Sequence, residues 1–350
     1  MAALMIRPHP LFRESLTAAA REWPVRGGKI LVTGASGLIG SSLVTLLTEA
    51  NRSLGAHFTV YALGRNAEKL RRCFGDSPSV FCVAQNIADP IEIEDLDYIV
   101  HAASLADPVS YASFPAETIL TNVQGAASVL AYCREHPRTR ALLTSTFEVY
   151  GKLDQDAYGE EDFGLLDQNR LRSGYPESKR VAELLFRSFH EEYGTDCLIA
   201  RLPSVYGPTM AENDSKAHAQ FLRAAVGGQP VVLKSAGAQK RTWCYVVDAV
   251  RGMLTLLQKG AAGEAYNVAN GEAVATIAEV AETIAEIAGV PVQYASANTL
   301  EQKGFSRPQN CILKTEKIRA LGWEARYSLA DGLRETLEIL AAGKRSADHS

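Results

Sequence analysis

Residues 30–42, ILVTGASGLIGSS, constrain the chain more than any other stretch. An apolar run from Ile30 to Val32 reads as a buried strand. It leads into three glycines spaced three apart, Gly34, Gly37 and Gly40, and a helical pattern follows. Glycine adopts backbone conformations that a Cβ forbids, so the pattern predicts strand, tight turn and helix in direct succession. The first glycine permits the turn, the second lets a ligand approach the backbone, and the third lets helix and strand pack closely. The helix start then offers unpaired N–H groups and a positive dipole end to a phosphate. Gly34, Ser36, Gly37, Leu38, Ile39 and Gly40 are the candidate cradle. The spacing is GxxGxxG rather than GxGxxG, so on the glycines alone a turn that binds nothing stays open.

Strand-like and helical patterns alternate through the first two hundred residues. Strands are expected at 29–33, 58–63, 80–84, 98–102, 141–145 and 197–202, with helices at 38–49, 116–134 and 176–192. Near-continuous apolar strands separated by helices imply an α/β fold of Rossmann type, a doubly wound parallel sheet covered on both faces. After Pro203 the rhythm changes, with helices expected at 217–226, 246–258, 276–287 and 329–340. The division this suggests is an N-terminal helical extension (1–27), a dinucleotide-binding domain (28–203, with 235–270 returning to it) and a smaller interleaved C-terminal substrate region (204–234 and 271–340). Residues 11–23 read as an amphipathic helix packed on the domain or on a second subunit. The tail, 341–350, reads as solvated and disordered.

A chain of 350 residues with 47% hydrophobic and 22% charged residues is an ordinary globule. Net charge is −4 without a long basic run, which argues against nucleic acid or an anionic membrane as the main partner. No stretch is apolar enough to span a membrane, and the N-terminus lacks a signal-peptide core. The six cysteines form no CxxC pair, which points to a reduced, cytoplasmic protein. The histidines show no ligand spacing, so no metal is expected.

The second strand ends in Gly64, Arg65 and Asn66, where dinucleotide folds often carry an acid for the adenosine ribose. Arg65 can pair with a 2′-phosphate, stack on adenine, or sit solvated. Downstream, SGYPESKRVAELL places Tyr175 and Lys179 four apart on a helix, one turn from each other on one face. An ammonium beside a phenol favours the phenolate, so the pair can act as a base near neutral pH. LLTSTFEVYGK ends a strand with polar groups at its carboxyl end, where open α/β sheets bind ligands. Thr146 can hydrogen-bond a substrate oxygen and Glu148 can serve as a second base. An ordinary surface pair, a strand-end cap and a solvated carboxylate are the plainer readings.

TGASGLIG, HAAS, TNVQGAASVL, STFEVYG, YPESK, RLPSVYGP, RTWCYVVDAV and AYNVAN, in this order, resemble the extended short-chain dehydrogenase/reductases that remodel nucleotide sugars. The resemblance runs from Lys29 to about Leu340. It implies tightly held NAD, with NADP the lesser alternative, and a nucleoside-diphosphate sugar as substrate. It implies Tyr175 as base, Lys179 as its partner and nicotinamide-ribose ligand, and Thr146 as the residue that orients the hydroxyl. It places Asn86, Ile87, Ala102, Ala103, Ser104, Asn122 and Pro203 along the cofactor, and Phe147, Ser204, Arg241 and Arg307 along the substrate. It also implies a homodimer, through the helices at 116–134 and 176–192.

The chemistry implied is oxidation at C4 to a 4-ketone, followed by 4-epimerisation, decarboxylation of a C6 carboxylate, or 4,6-dehydration. The site departs from the family in detail. Phe147 stands where dehydratases carry a proton-donating aspartate and where decarboxylases, which keep the glutamate after it, usually carry a hydroxyl residue; Glu148 stands where epimerases carry a small or hydroxyl residue, and Ser204 where an asparagine is usual. Epimerase and decarboxylase therefore rank ahead of dehydratase. An NADPH-consuming carbonyl reductase, supported by Arg65, and a dinucleotide sensor without turnover are the readings from other classes.

Overall fold

The computed structural model describes residues 9–75, 77–305 and 310–348. Its strands in chain order are β1 (Gly27–Thr33), β2 (His57–Gly64), β3 (Val80–Ala84), β4 (Tyr98–His101), β5 (Arg140–Thr146), β6 (Ala157–Tyr158), β7 (Cys197–Leu202), β8 (Ser204–Tyr206), β9 (Val231–Leu233), β10 (Lys240–Tyr245), β11 (Ala265–Asn267), β12 (Val274–Thr276), β13 (Val292–Tyr294) and β14 (Ile312–Leu313). The helices are α1 (Pro10–Arg21), α2 (Leu38–Leu54), α3 (Ala67–Phe74), α4 (Pro108–Ser113), α5 (Pro115–Glu135), α6 (Gly174–Tyr193), α7 (Ala217–Val226), α8 (Val246–Lys259), α9 (Ile277–Ala288), α10 (Thr299–Gly304), α11 (Glu316–Arg319) and α12 (Leu329–Asp348).

Seven strands form one sheet in the order β11-β7-β5-β4-β1-β2-β3, and every neighbouring pair is parallel. Alternation along β1 shows why both faces are covered. Ile30 and Val32 enter a core with residues of α1, α2 and α8, while Leu31 enters one with residues of α5 and α6. The order reverses between β1 and β4. A crevice therefore opens beyond their carboxyl ends, where such sheets bind ligands. In the C-terminal part, β8, β10 and β12 form a three-stranded sheet, and β9 pairs with β13. Of residues 235–270, β11 joins the large sheet and β10 the smaller one.

The expected doubly wound sheet is present, with differences at the ends of elements. The α2 helix runs five residues past 49 and stops at Gly55, whose φ of +64° suits a glycine cap. The α12 helix continues through Asp348, so residues 343–348 are helical rather than a disordered tail. The α3 helix escapes a pattern search because it is short and charged. Asn66 caps it by accepting a hydrogen bond from the Lys69 N–H at 2.8 Å. The N-terminal helix packs on its own chain: Phe12, Leu16, Ala19 and Ala20 are buried among α2, α8 and α12. Just after it, Trp23 stacks on Phe58 with centroids 5.2 Å apart.

Asp248 anchors these layers. Fully buried on α8, it pairs with Arg251 and accepts backbone N–H bonds from Arg326 (2.9 Å) and Tyr327 (3.0 Å). Arg251 reaches on to Glu22, just past α1. Asp248→Ala takes one carboxylate from a buried guanidinium, leaving it the Glu22 carboxylate alone, and strands two amides, and is expected to cost about 3–5 kcal/mol in urea unfolding. A loss below about 1 kcal/mol, the size of a surface pair, would show that this anchor carries little.

Candidate active site

The turn between β1 and α2 is built by close approach. Gly34 has φ +64°, and a Cβ on it would lie 2.6 Å from the Ala102 carbonyl oxygen. A Cβ on Gly40 would run into the Gly34 carbonyl, so strand and helix meet here backbone to backbone. Gly37 is exposed and caps α2 with no side-chain hydrogen bond. The first N–H groups of a 17-residue helix are thus left to an external acceptor. Ser36, Leu38 and Ile39 beside it are half-buried. A glycine cradle at the head of an uncapped helix, in the crevice of a parallel sheet, fits the diphosphate of a dinucleotide.

A chain of polar contacts runs from this turn to Lys179. Thr33 Oγ1 accepts hydrogen bonds from the amides of Ala102 and Ala103, both at 3.1 Å, and lies 2.9 Å from His101 Nδ1. Thr144 Oγ1 donates to the His101 carbonyl (2.9 Å), and Lys179 Nζ donates to the Thr144 carbonyl (3.0 Å). Burial and the Lys179 ammonium push the His101 pKa down to about 3, so this imidazole is neutral. Asn122 is buried on α5, where its Nδ2 donates to Ser178 Oγ, which donates in turn to the Tyr175 carbonyl. Its Oδ1 and His101 Nε2 are buried without a protein partner.

The structure brings Thr146, Glu148, Tyr175 and Lys179 together. Thr146 ends β5 and Glu148 follows on the 3-10 turn Phe147–Tyr150, so one strand end supplies both. The Thr146 hydroxyl lies within hydrogen-bonding reach of Tyr175. The Glu148 carboxylate forms a 2.8 Å ion pair with Arg172, from the turn Leu171–Ser173. Tyr111 of α4 stacks on Tyr175 with centroids 4.4 Å apart and planes 22° apart. The Arg172 guanidinium carbon sits 4.4 Å from the Tyr111 ring centre.

The expectation that the Lys179 ammonium draws Tyr175 toward its phenolate is not met. Both residues share one helix face, but Lys179 extends away to β5. Burial and the nearby Glu148 carboxylate push the Tyr175 pKa up to about 12, against the opposing pull of Thr146, Tyr111 and Arg172. Burial pushes the Lys179 pKa down to about 8, with Glu183 opposing.

Phe147, Glu148, Arg172 and Arg241 line one open cleft. The Arg241 guanidinium lies over the Phe147 ring at 5.5 Å and donates to Gln239 at 2.8 Å. Pro203 is buried and Ser204 half-buried where β7 passes into β8. Arg307 lies outside the described residues. Ala102, Ala103 and Ser104 are half-buried just past β4. Ile87 is buried with its side chain close to Gly125 of α5, and Asn86 accepts from the Ala88 N–H in an exposed turn. Arg65 is paired with Glu117 at 2.6 Å, both well exposed.

Tyr111 and Arg172 went unread in the sequence. Tyr111 sits on a six-residue helix between two prolines, and Arg172 on a single 3-10 turn, so neither had a periodic pattern to give it a face.

Comparison with known proteins adds three findings. A family model described as the NAD dependent epimerase/dehydratase family matches residues 30–269. UDP-glucuronic acid decarboxylase 3 of Arabidopsis thaliana is 34% identical over 307 residues, covering 87% of this chain and 86% of that protein. Among solved structures, DesIV, a dTDP-glucose 4,6-dehydratase of Streptomyces venezuelae with NAD and TYD bound, is 28% identical with a TM-score of 0.78, covering 91% of this chain and 98% of that one. The epimerase Mth375 of Methanothermobacter thermautotrophicus shares the fold, at 24% identity and a TM-score of 0.80 over 98% and 99% of the two chains.

The Lys179 shift carries a stability consequence. A buried lysine whose pKa falls from 10.5 to about 8 on folding destabilises the fold when charged. That penalty is complete below the folded value and fades as pH rises from there toward the unfolded one. Lys179→Met removes it at the cost of one hydrogen bond, and is expected to be more stable by about 2 kcal/mol near pH 6.5 in urea. The gain should shrink as the pH passes about 8. A variant no more stable than wild type near pH 6.5, or a gap independent of pH, would contradict this reading.

Proposed function

This chain belongs to the NAD-dependent epimerase/dehydratase family, and on that premise we propose that it oxidises C4 of a nucleoside-diphosphate uronic acid and releases the C6 carboxylate as carbon dioxide. The observation that carries the choice is Phe147, in the cleft between Thr146 and the Glu148–Arg172 pair. Loss of water across C5–C6 needs an acid to protonate the departing hydroxyl, and a phenyl ring has no proton to give. Loss of carbon dioxide needs no such acid, and an apolar wall favours it by desolvating the carboxylate. The decarboxylases at up to 34% identity support the same choice and make UDP-glucuronate the substrate to test.

In this reading Tyr175 takes the proton from the sugar O4, with Thr146 holding that oxygen in place. Gly34, Gly37 and Gly40 would cradle NAD, which when bound would accept the C4 hydride and give it back after carbon dioxide has left. Lys179 and Asn122 fix the helix turn that carries Tyr175. The ketone at C4 makes the C6 carboxylate a β-keto acid. Its C5–C6 bond breaks with the electron pair passing to C5 and O4, where Thr146 and the protonated Tyr175 stabilise the oxyanion. A proton from solvent then adds at C5, and as C4 regains its hydride Tyr175 returns the proton to O4, so the product keeps a 4-hydroxyl and differs from the substrate by carbon dioxide alone. Glu148 is engaged by Arg172, which suits holding that guanidinium more than accepting a proton. Arg241 is the candidate for the diphosphate.

NAD is preferred over NADP because Glu117 already pairs with Arg65, and its carboxylate would repel a 2′-phosphate. The six cysteines are all free and four are buried, which suits a reducing compartment, the cytoplasm. No helix among the described residues is long and apolar enough to cross a membrane. A homodimer is supported by the apolar side chains on the outer faces of α5 and α6, with Leu120 52%, Val181 43% and Leu184 62% exposed.

Incubation with UDP-glucuronate and NAD should give a product lighter by one carbon dioxide, and Tyr175→Phe should slow its formation by about 10³-fold. A product of unchanged mass, or one lighter by water, would overturn decarboxylation; an unimpaired Tyr175→Phe would overturn the base. Leu184→Asp should convert a dimer to a monomer in light scattering, and an unchanged mass would remove this face as the interface.

A further inference from the structure

A second phenol lies against Tyr175, and no part of the proposed reaction uses it. Tyr111 is buried on α4, whose position is fixed from both ends. Asp107 caps the helix by accepting from the Ser110 N–H (3.2 Å) and from Ser215 Oγ (2.6 Å), and the Val109 N–H donates back to Ser215 Oγ (3.0 Å). Pro115 opens α5 directly after it. The Arg172 guanidinium sits beside both rings of the stacked pair: its carbon is 4.4 Å from the Tyr111 centre and 6.0 Å from that of Tyr175. The two hydroxyls are within hydrogen-bonding reach of each other.

In such a pair one phenol donates to the other. Burial, Tyr175 and Glu148 all push Tyr111 well above an ordinary tyrosine, so it keeps its proton and is the donor. A hydrogen bond to an ionised acceptor is stronger than one to a neutral acceptor, so the contact tightens when Tyr175 ionises. Stacking alone would need only the ring.

We infer that Tyr111 is a positioning residue for Tyr175: stacked on that ring beside Arg172, its hydroxyl orients the Tyr175 oxygen and stabilises its phenolate. This rests on Tyr175 being the base that takes the O4 proton. The charges facing the pair are Glu148 and Arg172, with Lys179 one turn further along α6. Other charged groups on the elements packed against α4 and the start of α6 are engaged elsewhere or exposed. Glu117 pairs with Arg65, Glu177 lies by Arg180, Glu183 pairs with Arg201, Glu301 pairs with Lys234, and Lys303 is exposed.

The test is the pH dependence of kcat for carbon dioxide release from UDP-glucuronate, with saturating NAD, in wild type, Tyr111→Phe and Tyr175→Phe. Phenylalanine keeps the ring and its stacking and removes only the donor. The acidic limb should move up by about one pH unit in Tyr111→Phe, giving about a tenfold loss below the limb and near wild-type rates above it. NAD affinity should be unchanged. Tyr111→Leu serves as the second variant and should show the same upward shift. A limb at the wild-type pH, or an equal loss at every pH, overturns the inference and leaves Tyr111 a packing residue. An active Tyr175→Phe overturns the base and this inference together. An inactive Tyr175→Phe beside an unshifted Tyr111→Phe overturns this inference alone.

Discussion

The polar chain Thr33–His101–Thr144–Lys179 is the contact on which the rest of the site depends. It crosses the carboxyl ends of three parallel strands, β1, β4 and β5, where the backbone ladder stops and polar groups would otherwise be orphaned in a buried place. Thr33 satisfies two amides at once and thereby fixes the start of the segment beyond β4. That segment meets the Gly34 turn so closely that no side chain fits there. One end of the chain therefore shapes the glycine turn proposed as the cradle, and the other ends on Lys179. The cradle and the proposed base are positioned by a single network rather than by two independent loops.

Burial gives the site its electrostatic character. His101 is held neutral, Lys179 is brought near its titration range, and ionisation of Tyr175 is made costly, which the groups around its hydroxyl oppose. These groups are costly to place in a dry interior, and the surrounding fold has to carry that cost. The Asp248–Arg251 anchor and the close packing of α1 on α2 and α8 lie on the far side of the sheet, where no chemistry is proposed. Around Tyr175 the Glu148–Arg172 ion pair sits beside the stacked phenols, with the guanidinium close to both rings, which orders the aromatic pair.

Much of the fold was legible because period and punctuation agreed. The glycine turn, the alternating apolar strands and the helices at 217–226 and 329–340 all announce themselves locally. The ends of α2 and α12 did not, since polar and charged residues such as Asn51, Arg52, Lys344 and Arg345 continue a helix as readily as they leave one. In the site, Tyr175 and Lys179 were legible as a pair because four residues make one helical turn. Their electrostatic relation was not, because spacing fixes the face and not where a long side chain ends. Tyr111 and Arg172 belong to short elements whose positions are set by tertiary contacts, Ser215 in one case and Glu148 in the other. Phe147 was legible as an odd residue, and the structure adds that its ring meets Arg241 in the cleft.

The central claim is that oxidation at C4, begun at Tyr175, comes before loss of the carboxylate. Rapid mixing of the NAD-loaded protein with UDP-glucuronate, following reduced-nicotinamide absorbance and carbon dioxide together, tests it most directly. The account predicts that the absorbance rises first and that carbon dioxide follows it. Carbon dioxide released with no prior rise, or at a rate that ignores it, would contradict the account.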